Sequence, residues 1–207
     1  MAMKNKNSKS LMAIGIAAIS IGAISCSETP APFIGAWEGT NPIDMTAKMP
    51  GAKSALETIS IDFINNQQST EGEITLYSDF DIICPVLVKG MVPADSCNVS
   101  FSANAIVKGT WNHDVDDHDD LLINYDYSTI EVKIDNSSIK NVPAIELTQS
   151  QTDSLSTIFK LEIETTFRNN LTRLSTMEDI KVSKDGKTMS LEVKGPKYDL
   201  RFKRLEM

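Results

Sequence analysis

The 207 residues carry 28 acidic against 20 basic side chains, for a net charge of −8, with only three cysteines and two histidines. An acidic chain lacks the basic surface that phosphate backbones require, so nucleic acid is excluded as a partner, and so few cysteines and histidines leave little material for zinc or redox chemistry. At 41% apolar and 23% charged residues the composition is that of a globular protein, not of a disordered one.

Residues 1–25 read as an address. Lys4, Lys6 and Lys9 precede an uncharged apolar run from Leu11 to Ala23, about 13 residues long and too short to cross a hydrocarbon core that needs about 20. The tetrapeptide that follows, Ala23-Ile24-Ser25-Cys26, resembles the lipobox of bacterial lipoproteins. The resemblance implies that Cys26 becomes the acylated first residue of the mature chain, joined to the membrane through its lipid. Several acyl chains give a stable anchor where one is marginal. Ser27 rather than aspartate after the cysteine implies, by the same likeness, the outer membrane, with the leaflet left open. Losing the leader removes three lysines and no acid, which takes the net charge from −8 to −11. Residues 26–32 form a short Ser/Thr/Pro tether, and residues 33–207 the folded domain.

From Phe33 the dominant signal is period-2 alternation, the mark of half-buried strands. The first strand is expected over Phe33–Thr40. Ile59, Ile61 and Phe63 alternate with Thr58, Ser60 and Asp62. Ile74, Leu76, Phe80 and Ile82 follow in one phase, with Ser78 their only polar companion. Val99, Phe101, Ala103, Ala105, Val107, Gly109 and Trp111 share the face of a long strand. Leu121, Ile123 and Tyr125, then Ile130, Val132 and Ile134, read as two further strands. Ile180 and Val182, Met189, Leu191 and Val193, and finally Tyr198, Leu200 and Phe202 complete about nine, the first two of these joined by a turn at Asp185-Gly186. Long strands with short connections predict an antiparallel barrel of about 8–9 strands, because closure removes exposed edges; an open sandwich is the alternative. One stretch breaks the pattern. Leu155, Ile158, Phe159, Ile163, Phe167, Leu171 and Leu174 recur at helical spacing, predicting an amphipathic helix over 153–174, capped by Thr152 or Asp153 and packed on the barrel.

Gly35-Ala36-Trp37 on the opening strand resembles the Gly-x-Trp signature of lipocalins and the wider calycin group. The segment from Asp185 through Phe202-Lys203-Arg204 is similar to the last hairpin of lipocalin-like lipoproteins from Bacteroides-type bacteria. The resemblance implies that Trp37 sits at the barrel base with a basic residue across its ring. Arg204, in phase with Tyr198, Leu200 and Phe202, suits that role through a cation–π contact, with Arg201 as the substitute.

Cys84 and Cys97 share the inward phase of adjacent strands in an oxidising compartment, so a disulfide is expected, one that closes a loop near 15 residues and is worth about 3 kcal/mol. The run His113-Asp114-Val115-Asp116-Asp117-His118-Asp119-Asp120 is rich in carboxylates. It fails the EF-hand template, with Asp119 where glycine is required and Tyr125 where glutamate is required. It reads as a solvated hairpin tip, with Asp114, Asp116 and His118 as weak metal candidates. No Gly-x-Ser-x-Gly, His-Glu-x-x-His or phosphate loop occurs, so neither enzyme activity nor a cofactor is expected. Two functions remain. One is a membrane-anchored binding module that takes a small apolar or amphipathic ligand inside the barrel. Phe63, Phe80 and Phe101 would line it, and segment 41–55 would gate it through the adaptable thioethers of Met45 and Met49. The other is a structural or interaction lipoprotein of the cell envelope with a filled barrel.

Overall fold

Alternation of apolar and polar residues commits most of the chain to strands, and their pairing decides what those strands enclose. The computed structural model describes residues 31–65, 70–85, 98–113, 120–142, 147–193 and 199–206. In chain order the elements are β1 (Gly35–Gly39), β2 (Ile43–Asp44), β3 (Ser54–Asn65), β4 (Glu71–Pro85), β5 (Asn98–His113), β6 (Leu121–Ile134) and β7 (Lys140–Val142). The helix α1 (Gln149–Leu171) follows, then β8 (Thr176–Val182), β9 (Thr188–Val193) and β10 (Asp199–Arg204).

All pairings are antiparallel. Neighbours run β1, β10, β9, β8, β6, β5, β4, β3, and β3 returns to β1 through Gly35–Phe63, Trp37–Ile61 and their neighbours. The sheet therefore closes into a ring, which removes the open sandwich. β2 adds beside the first half of β3, and β7 beside the start of β5. Closure is narrowest where β6 meets β8, across Leu121–Met177 and Leu122–Thr176 alone.

The two strands expected over 121–134 are one bulged strand. Ile106 faces Glu131 while Lys108 faces Asp126, so residues 127–130 oppose the single residue Val107. Asp126 builds the bulge: its Oδ1 accepts from the Ser128 amide at 2.9 Å, and its carbonyl accepts from Thr129 Oγ at 2.7 Å. The extra residues switch the inward phase from Leu121, Ile123 and Tyr125 to Val132. β1 is shorter than expected, beginning at Gly35 and ending at Gly39.

The helix begins earlier than its apolar stripe suggests, at Gln149, and ends at Leu171. Thr148 and Gln151 form a reciprocal capping box, Thr148 Oγ accepting from the Gln151 amide and Gln151 Oε1 from the Thr148 amide. Leu155, Phe159, Ile163, Phe167 and Leu171 are buried, whereas Ile158, expected in the stripe, is 60% exposed. The helix lies against β5 and β6, with the Phe159 ring stacked on Phe101 at 3.9 Å between centroids. One continuous buried cluster joins the inward side chains of the ring to the buried face of α1. Among the described residues no helix is long and apolar enough to cross a membrane.

Candidate functional site

Inward positions of a closed sheet are apolar unless something satisfies a polar group there. On β3 the inward set is Ala55, Glu57, Ile59, Ile61 and Phe63. Glu57 is fully buried. Its neighbour Ser78 occupies an inward position on β4, one inward step along from Phe80, which faces Glu57 directly. Ser78 Oγ donates to Glu57 Oε1 at 2.7 Å, and Asn170 Nδ2, from the last turn of α1, donates to Oε2 at 2.8 Å. The Asn170 side-chain oxygen accepts from Lys48 Nζ at 3.1 Å, and its Nδ2 also lies 3.6 Å from Met45 Sδ. Two strands, the helix and the 41–53 segment thus meet at one carboxyl group.

Burial raises the pKa of Glu57, opposed by the hydrogen bond from Ser78, the charge of Lys48 and the hydrogen bond from Asn170. Lys48 is shifted down, first by partial burial and then by the charge of Arg173, against the attraction of Glu57. Sequence reading passed over Glu57 because a charged residue beside Leu56 suggests a solvated strand start. The signal was its phase, two residues before Ile59 and so on the inward face.

The segment expected to gate a pocket mouth is pinned in place. Met45 N donates to the Ala55 carbonyl at 2.7 Å and Lys53 N to the Ile83 carbonyl at 2.8 Å. Thr46 Oγ accepts from the Ala55 amide at 3.0 Å, and Asp44 Oδ1 from the Thr46 amide at 2.9 Å. Ala55 belongs to β3. Met45 and Met49 point into the core and are buried, as are Phe63, Phe80 and Phe101. The candidate ligand-lining residues therefore belong to one buried cluster, with Phe101 on Phe159 and Met45 beside Asn170 of α1. A concavity of about 450 Å³ lies elsewhere, along β8–β10, bordered by Lys181, Ser183, Thr188, Ser190, Arg201 and Thr40.

Near the start of β1, Trp37 is completely buried and its indole N–H donates to the Phe33 carbonyl at 2.7 Å. The Arg204 guanidinium lies 4.2 Å from the centre of the Trp37 ring. It donates to the carbonyls of Gly186, Ile34 and Pro32 at 2.7, 2.8 and 2.7 Å. Arg201, the substitute for this role, is exposed and on the outward phase of β10. Gly35 adopts φ +120°, and a Cβ there would stand 2.8 Å from Arg204 Nη1, so this corner requires glycine.

Among the described residues Cys84 has no disulfide partner; as a thiol it is half-buried, and burial and Glu162 push its pKa up to about 11. Its expected partner Cys97 lies outside the described residues, as do Cys26, Asp114, Asp116 and His118. His113, read as part of a solvated tip, is the last residue of β5 and packs edge-on against Phe33 and Trp111. Among the described residues no group of His, Cys, Asp or Glu is arranged to hold a metal ion.

Comparison with protein-family models, with curated proteins and with solved structures finds no match to this chain.

Proposed function

We propose that this chain is a lipid-anchored lipoprotein of the bacterial outer membrane whose filled, calycin-like barrel acts as a structural or interaction module. The packing of Phe101 against Phe159, within a cluster that also buries Met45, Met49, Phe63 and Phe80, carries the reading. The residues that would line a ligand pocket belong to one continuous buried cluster, whereas a carrier needs roughly 300 Å³ or more of enclosed space. The anchor rests on the basic leader and the lipobox-like run ending in Cys26. The likeness to calycins is supported by Arg204 over the ring of Trp37. A non-catalytic role is supported by the full burial of Glu57 and Ser78, a carboxyl–hydroxyl pair that the described residues shut away from solvent.

Native mass spectrometry of protein taken from its own host tests this reading. Mature protein at the mass of the acylated chain, with no further adduct, is the expected result. A retained apolar molecule released on denaturation would transfer the assignment to the ligand-binding module.

A further inference from the structure

The buried carboxyl of Glu57 on β3 lies where β4, the end of α1 and the 41–53 segment come together. Its two oxygens accept from β4, through Ser78, and from α1, through Asn170. Asn170 in turn receives Lys48 from the 41–53 segment. We propose that Glu57 is a pH-sensitive latch: in its neutral form, with its proton shared between Oε1 and the Ser78 hydroxyl and Oε2 accepting from Asn170, it seats the end of α1 and the 41–53 segment against the barrel interior, and its ionisation, which leaves a charge in a fully buried position, loosens both. The inference is independent of the lipid anchor and of whether the barrel carries a ligand.

The groups facing Glu57 are few. Ser78 on β4 and Asn170 on α1 are uncharged. Lys48, from the 41–53 segment, is the cation acting on it, and it does so from the far side of Asn170; Arg173, just past α1, acts on Lys48 in turn. The carboxyl oxygens accept from two neutral donors, Ser78 and Asn170. Ionisation therefore leaves a charge in an apolar interior with two neutral donors and one indirect counter-charge, and burial is the largest influence on it.

The direction in pH follows. An acid with a raised folded pKa binds its proton more tightly in the folded state. Its contribution is complete below the ordinary value of 4.5 and is lost as pH climbs through the raised one. Asp44, Asp126, Asp135 and Asp185 run the other way: hydrogen bonds lower them, so their contribution is complete above the ordinary value and is lost on acidification. They are all at the surface, and a comparison with Glu57→Gln cancels them.

Methionine labelled with ¹³C at its methyl reads the latch directly, since Met45 Sδ touches the same Asn170 nitrogen. In the full mature chain, the Met45 methyl signal should titrate between pH 4 and 8 with a midpoint above 4.5, and Glu57→Gln should abolish the titration. Amide exchange of residues 166–171, taken as a ratio to β1 amides at the same pH, should lose protection on raising the pH. The loss should be about tenfold for each unit by which the folded pKa exceeds the unfolded one. If Glu57→Gln does not fold, Lys48→Gln, a change at an exposed side chain, serves instead and should move the Met45 midpoint upward. A Met45 signal that stays constant, or that follows an ordinary glutamate in both wild type and Lys48→Gln, would overturn the proposal.

Discussion

Replacing Arg204 by lysine separates charge from geometry where β10 pairs with β1. The guanidinium holds three backbone carbonyls at once, those of Pro32, Ile34 and Gly186, while covering the ring of Trp37. Lysine keeps the positive charge and can keep the ring contact. Its single ammonium cannot span three carbonyls arranged to meet a planar fork. Hydrogen bonds to charged groups contribute about 1.5–3 kcal/mol each where desolvated. Arg204 is half-buried, so about 1 kcal/mol for each of two lost bonds is the sounder figure after solvent screening. Arg204→Lys should therefore cost about 2 kcal/mol, and Arg204→Ala about 3–4 kcal/mol with the third bond and the cation–π contact gone. For a chain of this size each kcal/mol lowers Tm by about 2–4 °C, so lysine should lower it by roughly 4–8 °C. Thermal unfolding by circular dichroism measures both. A second measurement sharpens the result. Gly35→Ala places its methyl against Arg204 Nη1, so it should cost less in the Arg204→Ala background than in wild type. Arg204→Lys within 0.5 kcal/mol of wild type, or strictly additive costs at positions 35 and 204, would refute this account, since about 0.5 kcal/mol is the limit expected of independent sites.

Cys26→Ala should move the protein from the membrane to the soluble fraction or leave it with its leader uncleaved; fractionation and intact mass decide, and wild-type partitioning would remove the anchor. Cys84 in reduced, folded protein should react with iodoacetamide at pH 8 about tenfold more slowly than an ordinary thiol: a pKa near 11 against 9.0 cuts the thiolate fraction about a hundredfold, and the greater basicity of the thiolate restores about tenfold of that. In unreduced, denatured protein, alkylation of both Cys84 and Cys97 would dismiss the proposed disulfide, whereas labelling of neither supports it. Phe101→Ala should cost about 3–5 kcal/mol and leave an apolar cavity beside Phe159. It should also create saturable binding of a small apolar dye that wild type lacks; equal binding by wild type would contradict the filled interior.

The strands were legible because half-burial writes itself into alternate residues. Val99 through Trp111 shows one phase along the whole of β5. Closure was legible for a different reason, since many long strands with short turns leave few arrangements without exposed edges. Local rules that interrupt the period were harder to place. Thr148-Gln149-Ser150-Gln151 contains the capping-box spacing, yet the apolar stripe starts only at Leu155, so the helix start fell four residues late. The Asp126 bulge changes which residues face inward, and a break in phase resembles a break between strands when pairing is unknown.

The Glu57 site was illegible for a deeper reason. Phase alone puts Glu57 inside, but whether a charged side chain stays there depends on what reaches it. Ser78 comes from 21 positions away and Asn170 from 113. Neither distance leaves a trace in local spacing. The same holds for Met45 and Met49: as thioethers after a first strand they suit an adaptable surface, yet both join the buried cluster, with Met45 Sδ 3.6 Å from Asn170 of the distant helix. Period and phase thus specify the wall of this barrel, while its contents depend on the long-range seating of α1. A buried carboxyl at the point where helix, segment and wall meet is where that seating is most sensitive to a single proton.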